Sequence, residues 1–158
     1  MTGHNPTDRS KLGSKRHILT DKDGIPLSTF ITSANTHDVT VATNTIDNIV
    51  IKRPSSSKST KYRKQKQNLC LDKGYHSKEV EQEILKRGYI PHIRHRREEE
   101  KLFHKKHPAA RRWVVERTNS WHNRFRKLFT RYEKKDDNYL GLVELANSLI
   151  VYRRLILG

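Results

Sequence analysis

The stretch of residues 52–67 places the strongest constraint on how this chain can fold. It contains seven lysines and arginines, three consecutive serines and one proline, but no acidic residue. Such a run does not pack in a core, because its positive charges would lose water without gaining partners. The sequence therefore predicts an exposed, flexible basic loop here, with folded segments on either side.

Before this loop, the pattern predicts a β-hairpin followed by a helix. Residues 15–20 and 25–32 are short apolar and β-branched runs, and residues 21–24 (Asp-Lys-Asp-Gly) form a turn signal between them. Residues 35–38 offer capping side chains, and apolar residues then recur at helical spacing over residues 39–50. One hairpin is thus counted before the first helix.

After the loop, the pattern predicts a strand, a helix, a second strand and a final helix. Residues 68–72 indicate a brief buried strand that ends on an acid, and a helix follows over about residues 77–88. Residues 89–93 predict an edge strand, because they include a proline. Residues 139–157 are apolar on more than one face, which predicts a helix buried against the rest.

Charge narrows the range of partners. The chain has 33 Lys and Arg against 17 Asp and Glu, a formal net charge of +16, and fifteen of the basic residues fall within residues 94–135. Such a surface attracts polyanions, and no apolar run is long enough to span a membrane. No signal-peptide pattern opens the chain, and one cysteine, Cys70, fits a reducing compartment. A cytoplasmic, nucleoid-associated protein with a thin core is expected.

Asp72 is the first candidate metal ligand. An acid at the carboxyl end of an apolar strand, next to a glycine turn, lies at the edge where open α/β sheets place their ligand sites. A cap for the following turn explains the same pattern. This feature alone therefore leaves both interpretations open.

Glu116 is the second candidate, because the helix around it has two distinct faces at about 100° per residue. The apolar face carries Val114, Thr118, Trp121, Phe125, Leu128 and Tyr132. The polar face carries Arg112, Glu116, Ser120, Asn123 and Lys127. A solvated Arg112–Glu116 ion pair explains this face and contributes only about 0.2–0.5 kcal/mol. A carboxylate among cations and amides also suits a site where the acid holds a metal ion and its neighbours hold phosphates.

Histidines and tryptophans offer other chemistry. Two His-x-x-His pairs are formed by His92, His95, His104 and His107. A zinc site is conceivable, but all-histidine structural sites are unusual, so phosphate contact or solvation is the preferred interpretation. Trp121 lies on the apolar face and is expected in the core, whereas Trp113 is the better candidate for stacking on a base.

Five motifs occur along the chain in a fixed order. They are Asn5-Pro6-Thr7-Asp8-Arg9, Lys11-Leu12-Gly13-Ser14-Lys15-Arg16-His17, Ala34-Asn35-Thr36-His37-Asp38, Leu71-Asp72-Lys73-Gly74-Tyr75 and Arg112-Trp113-Val114-Val115-Glu116-Arg117-Thr118. Together they resemble the insertion-sequence-five family of DDE transposases, in the wider group of insertion sequences four and five. The resemblance covers nearly the whole chain.

The resemblance implies an α/β, RNase H-like fold, a mixed sheet with flanking helices, in which three carboxylates bind Mg²⁺ or Mn²⁺. Asp72 matches the second acid and Glu116 the third, with Arg112 completing an Arg-x-x-x-Glu signature. Ala109 and Asn123 depart from the family pattern, because a tyrosine and a lysine often stand there.

The implied activity is metal-assisted cleavage of the element ends, followed by joining of the freed 3′ hydroxyl to target DNA. Candidate contacts to this DNA are Lys15, Arg16, Arg112, Trp113, Asn123, Arg124 and Lys127. No residue of the chain matches the family's first acid, which the resemblance places upstream of the segment that opens this chain. The implied fold also has three antiparallel strands before the first helix, whereas the sequence predicts one hairpin. Asp21 is the only strand-end acid that could substitute, but it belongs to a turn. An additional Asp from outside the chain is therefore required.

Residues 1–158 are accordingly expected to form a transposase DDE catalytic domain that is truncated at its amino end and lacks its first strand. The chain alone is expected to be inactive. It is either a frameshift partner of an upstream transposase segment or a decayed remnant of the element. The expected partners are DNA and that upstream segment, and a homo-oligomer is also considered.

Two rival functions share the same composition. One is a non-catalytic basic DNA-binding protein, such as a regulator derived from a transposase. The other is a basic structural protein of the ribosome or nucleoid, whose binding is also dominated by phosphate contacts. Neither rival needs an acid amid cations on a polar helix face, and Glu116 therefore favours the transposase.

Overall fold

The computed structural model describes residues 2–6, 8–51, 67–93 and 113–158. Contacts divide the chain into two compact units, one formed by Met1–Val50 with Trp113–Gly158 and the other by Ile51–Arg112. The predicted basic loop, apart from Gln67, lies outside the described residues. Both units combine strands with helices, so the predicted mixed α/β class is confirmed.

The first unit contains a three-stranded antiparallel sheet. In spatial order its strands are β1 (Gly3–His4), β2 (Leu12–Thr20) and β3 (Pro26–Ser33). Asp21 shapes the turn between β2 and β3, because its carboxylate accepts the backbone N–H groups of Asp23 and Ile25, each at 2.8 Å. Gly24 completes the turn with a φ of +80°, which favours glycine. The predicted hairpin is confirmed.

The structure has one more strand before the first helix than the sequence predicts. In β1, Gly3 lies opposite Gly13 and His4 opposite Leu12. Two residues are too few to show the alternation that reveals a strand. A Cβ atom at position 3 would meet the side chain of Asn35, which is exposed and would have to turn away. With β1, three strands precede the first helix. The number of strands therefore does not by itself show that the fold lacks its first strand.

The predicted helix after the hairpin is confirmed, although it is shorter than the apolar spacing suggests. A 3-10 turn, Asp38–Val41, leads into α1, Ala42–Asp47, whose Ile46 is buried. Beyond α1 the backbone N–H of Val50 donates to the carbonyl of Leu27 at 3.1 Å. The chain thus returns to the hairpin, and the Val50 side chain is 84% exposed.

The helical stripe predicted to run from Val114 to Tyr132 is interrupted. The described part of this segment forms α3, Trp113–Asn123, and a short α4, Arg126–Phe129. Tyr132, expected on the apolar face, is 77% exposed because it lies beyond both helices. The predicted apolar face therefore fails at Tyr132, whereas Phe125 and Leu128, beyond the end of α3, pack in the core as predicted.

The long helix α5, Asp136–Leu155, covers the core of the first unit. Its buried residues are Tyr139, Val143, Ala146 and Ile150, and the first three pack with Leu128, Ile31, Phe125 and Leu142. The predicted helix that packs against the rest is confirmed, but only one of its apolar sides is buried, because Leu145 and Leu149 are exposed. None of the helices among the described residues is long and apolar enough to cross a membrane.

The second unit contains a parallel strand pair joined by a helix. Its elements are β4 (Gln67–Leu71), a 3-10 turn (Lys73–Tyr75), α2 (Lys78–Lys86) and β5 (Tyr89–Ile93). Leu69, Val80 and Ile84 are buried. Gly88, with a φ of +79°, ends the helical segment and leads into β5. The predicted strand, helix and second strand are all confirmed.

Arg131 ties the loop before α5 to the sheet of the first unit. Its Nη2 lies 2.6 Å from Asp136 Oδ1, its Nε donates to the carbonyl of Glu133 at 2.8 Å, and its Nη1 donates to Ser14 Oγ. The guanidinium also lies 5.0 Å from the centre of the Tyr139 ring. One planar cation thus satisfies several groups at once, which an ammonium cannot do.

We expect Arg131→Lys to lower the free energy of unfolding by about 1–3 kcal/mol, because the remaining acceptors would lose charge-assisted hydrogen bonds. Urea denaturation followed by fluorescence measures this change, since both tryptophans of the chain lie in α3. The exposed Arg126 provides the control, and Arg126→Lys should leave the midpoint unchanged. Equal midpoints for the two variants would contradict this role of Arg131.

Candidate functional site

Asp72 lies where the sequence predicts it, directly after the last residue of β4. It is exposed, and its backbone carbonyl accepts the N–H of Tyr75 at 3.0 Å, which closes the following 3-10 turn. Because β4 and β5 are parallel, their carboxyl ends share one edge of the sheet. Asp72 therefore occupies the edge at which parallel sheets present ligand-binding side chains.

Glu116 lies in the first turn of α3 and is exposed. Val114 and Thr118, two residues on either side of it, are 4% and 0% exposed. The predicted separation of the helix into two faces is therefore confirmed around Glu116, whose carboxylate points away from the packed side. The alternative ion pair with Arg112 involves a residue outside the described ranges.

The turn between β2 and β3 anchors the packed side of α3. Thr118 Oγ1 donates to the carbonyl of Gly24 at 2.6 Å, and Arg117 Nη2 donates to the carbonyl of Asp23. A Cβ atom at Gly24 would lie 3.0 Å from Arg117 Nη2 and 3.2 Å from Thr118 Oγ1. The packed side of α3 therefore lies so close to Gly24 that it leaves little room for a side chain at this position.

A second anchor runs through His122, which sequence reasoning missed. Its Nε2 lies 2.7 Å from Asn147 Oδ1 on α5, and Asn147 Nδ2 donates to Thr29 Oγ1 on β3 at 2.7 Å. Because Asn147 Oδ1 can only accept a hydrogen bond, His122 Nε2 is the donor in this contact. His122 follows Thr118 at i+4, and this spacing was the available signal for its burial.

Burial lowers the pKa of His122 below its usual value of 6.5. The hydrogen bond with Asn147 acts in the opposite direction, and the positive charge of Arg16 lowers the pKa further. Among described residues, the buried His122 Nδ1 and Arg16 Nη1 have no hydrogen-bond partner. The neutral ring is therefore the form that the folded protein stabilises.

The predicted DNA contacts fall into two groups. Lys15 Nζ pairs with Asp38 Oδ1 at 2.9 Å, and Arg16 Nη2 donates to Asn123 Oδ1 at 3.0 Å, so both cations have partners within the protein. Arg124 and Lys127 are exposed after α3. Arg112 lies outside the described residues. The structure thus brings two predicted residues, Arg16 and Asn123, into direct contact.

Both tryptophans alternate with arginines along one row. Arg117 lies 4.9 Å from the centre of the Trp113 ring and 5.2 Å from that of Trp121, and Arg154 lies 4.8 Å from the Trp121 ring. Trp113 is 54% exposed, consistent with its selection as the more accessible ring. Trp121 is half-buried, so the expectation that it belongs to the core is not met.

Ranges 2–6, 8–51, 67–93 and 113–158 hold no group of three or more His, Cys, Asp or Glu side chains that could bind a metal ion. His92 lies in β5 with its Nδ1 3.6 Å from Cys70 Sγ, and the other three predicted histidines lie outside these ranges. Asp72 and Glu116 belong to different units, and their convergence stays a prediction.

Comparison with known proteins identifies the class of this chain. Residues 2–150 match the family model described as a transposase DDE domain, so the chain belongs to the DDE transposase family. It is also 37% identical over 154 residues to the protein named "Putative transposase for insertion sequence element IS402" of Burkholderia cepacia. That alignment covers 98% of this chain and 70% of the relative. No solved structure matches the chain.

The match confirms the predicted class, a DDE transposase of an insertion sequence. Members of this family are nuclease-type enzymes that depend on divalent metal ions and act on DNA. The matched range includes both Asp72 and Glu116. The narrower assignment to the insertion-sequence-five family stays a prediction.

Acidification should destabilise the first unit through His122. Since its folded-state pKa is lowered, its contribution to stability is present at neutral pH and is lost as the pH falls below 6.5. One such proton changes the free energy of unfolding by up to about 1.4 kcal/mol per pH unit. The pKa of buried His17 is also lowered by burial, so it adds a change of the same sign.

His122→Gln removes the titrating ring and should flatten the pH dependence of the unfolding midpoint between neutral pH and about pH 5.5. Urea denaturation at each pH, followed by tryptophan fluorescence, measures it. The exposed His37 is the matched control, and His37→Gln should retain the wild-type slope. Identical slopes for wild type and His122→Gln would refute the assignment.

Proposed function

We propose that this chain supplies two of the three metal-binding carboxylates of an insertion-sequence transposase, Asp72 and Glu116. The observation that carries this proposal is the position of Glu116, an exposed carboxylate on a helix whose opposite side is locked by buried hydrogen bonds. Asp72 contributes an exposed carboxylate at the end of a parallel strand. The family match over both residues supports their pairing.

The donor chemistry fits Mg²⁺ or Mn²⁺, since carboxylate oxygens are hard ligands. When bound, two such ions activate the attacking oxygen and stabilise the leaving oxygen of a phosphodiester. Asp72 and Glu116 would hold them over the DNA backbone. In the first step water would attack phosphorus and the bond to the 3′ oxygen would break. In the second step the freed 3′ hydroxyl would attack a phosphorus of the target DNA, and the bond from that phosphorus to the target's own 3′ oxygen would break. Neither step requires a covalent enzyme intermediate.

The third acid and the RNase H-like architecture complete the proposal. Residues 1–158 would belong to one catalytic domain, and a further strand carrying the first Asp would come from an upstream segment, joined for example by frameshifting. One edge of β2 pairs with β3. In the described part of the chain the other edge of β2 pairs only at Leu12 and Gly13, with β1. The remainder of that edge can accept a strand. The isolated chain would then lack strand-transfer activity.

Positive charge beside the Glu116 helix would bind the DNA at the nucleoid in the cytoplasm. Arg124 and Lys127 are exposed, and Arg16 is held by Asn123 on the face of α3 that carries Glu116. Arg112 would add a further phosphate contact. Lys15 would contact a phosphate only after its ion pair with Asp38 breaks. The partly exposed ring of Trp113 would stack on a base.

Asp72→Asn or Glu116→Gln should abolish transposition almost completely in cells that also express the segment supplying the third acid. Loss of a direct metal ligand should lower the transposition frequency by more than the roughly 10–100-fold that is lost when an outer-shell residue of a metal site is changed. The frequency of transposition measures it, with Glu144→Gln as a matched change at an exposed glutamate of α5. Unchanged transposition by Glu116→Gln would favour a non-catalytic DNA-binding regulator instead.

The double change Arg124→Ala with Lys127→Ala should weaken DNA binding uniformly across sequences. If each residue contacts one phosphate, the slope of log affinity against log salt should become shallower by about two. Fluorescence anisotropy with labelled duplex DNA at several salt concentrations measures this slope. Lys22→Ala is the control, because Lys22 is exposed in the hairpin turn. A slope equal to that of wild type would exclude both contacts.

A further inference from the structure

Two aromatic side chains around the end of α4 lie outside the core, and the proposed activity does not use them. Phe129 is 70% exposed and Tyr132 is 77% exposed, more than any other aromatic side chain in the described ranges. Single exposed apolar residues are common on protein surfaces and need no explanation. Two large rings only three residues apart, on a strongly basic segment, do need one.

Each exposed ring directly follows a residue that is anchored in the fold. Leu128 is 3% exposed and belongs to the core cluster, and Phe129 lies at the surface beside it. Arg131 makes the ion pair and hydrogen bonds described above, and Tyr132 follows it. The backbone that carries both rings is therefore held in place before any ligand arrives, which lowers the entropic cost of binding.

Positive charge surrounds the two rings. Residues 124–135 contain six Lys and Arg and a single acid, Glu133. Arg131 pairs with Asp136 within the fold. The other five cations are exposed, and they are Arg124, Arg126, Lys127, Lys134 and Lys135. We call these five cations, together with Phe129 and Tyr132, the α4 platform. Its charge selects a polyanion as the partner.

The two rings distinguish between paired and unpaired nucleic acid. In a duplex each base is stacked between its neighbours, so a protein side chain reaches only base edges in the grooves. An unpaired base exposes its whole face, and aromatic side chains stack on such faces whatever the sequence. Phosphate contacts alone would need only the cations. Rings among cations therefore favour a single strand as the ligand.

We propose that the α4 platform binds single-stranded DNA, with Phe129 and Tyr132 stacked on unpaired bases and the flanking cations bound to phosphates. The Cα atoms of Phe129 and Tyr132 are at most about 11 Å apart even in an extended chain, so both rings meet bases of one short stretch of strand.

Cleavage of the element ends, as proposed above, would free strand ends whose bases can leave the duplex. In that role the platform rests on the proposed function. The binding itself requires neither Asp72 nor Glu116, so it can be measured on the purified chain without any cleavage.

Fluorescence anisotropy with labelled oligonucleotides tests the proposal. A single strand of about 15 nucleotides, within the site sizes known for stacking domains, is compared with a duplex of the same length. Phe129→Ala and Tyr132→Ala should each weaken binding of the strand by about fivefold or more, the loss expected for one base–aromatic stack. Binding of the duplex should not change.

Tyr152→Ala is the matched control for the ring variants. Tyr152 is 51% exposed on α5 and lies outside the platform, so its loss should leave both affinities unchanged. Circular dichroism checks that all variants are folded.

A second comparison separates stacking from a general apolar contact. Tyr132→Trp should retain binding of the strand, whereas Tyr132→Leu should weaken it as much as Tyr132→Ala does, because leucine has no π-face. An abasic strand of the same length keeps the phosphates and lacks the bases. It should bind equally to the wild type and to Phe129→Ala.

The salt dependence separates the rings from the cations. If each lysine contacts one phosphate, Lys134→Ala with Lys135→Ala should make the slope of log affinity against log salt shallower by about 1.4 for a single strand. Phe129→Ala should leave this slope unchanged, because loss of a ring releases no counterions.

A strand affinity that neither ring variant weakens would overturn the platform, and so would equal losses for strand and duplex. Either result is compatible with the duplex contacts of Arg124 and Lys127 proposed above. The Glu116→Gln test does not involve the platform, so the two proposals fail on different results.

Discussion

The candidate site depends on the hydrogen bond between Thr118 and the carbonyl of Gly24. Both of its atoms are removed from water, so breaking it would leave a buried donor and a buried acceptor unsatisfied. Together with the link from His122 through Asn147 to the sheet, it permits one rotational setting of α3. That setting turns Glu116 outward. The orientation of the one acid on this helix is therefore decided by polar groups on the opposite side.

Ion pairs also contribute to the packing of this strongly basic chain. The core cluster around Val143 is small, and several carboxylates hold basic side chains in place within the fold. Asp38 binds Lys15, and Asp136 binds Arg131. Basic residues thus serve two purposes in one unit, since some hold its loops together while others, such as Lys127, are left facing solvent. A count of lysines and arginines cannot separate these uses.

Much of the backbone could be predicted from the sequence, because the relevant signals are local. The turn at residues 21–24 and the glycine at position 88 each require a backbone conformation that few residues adopt. The position of Asp72 followed from the end of β4 in the same way. The two-residue β1 and the break of the helix after Asn123 had no local signal.

Side-chain environments were harder to predict, because they depend on distant parts of the chain. The burial of His122 requires Asn147 and Thr29, which lie on a helix and a strand far away in sequence. Lys15 and Arg16 looked like equivalent surface cations, yet each has a different internal partner. The apolar content of α5 was recognised, but which of its faces is covered depends on the number of neighbouring elements. Pattern alone does not supply that number.

The close approach of α3 to Gly24 limits which insertions and substitutions the turn of this hairpin can tolerate. Surface turns are usually the places where chains gain or lose residues without penalty. Here an inserted residue would displace the carbonyl that receives Thr118, and a larger side chain would meet Arg117. Length variation among related chains should therefore accumulate elsewhere. This short tip is part of the framework that supports the acidic helix.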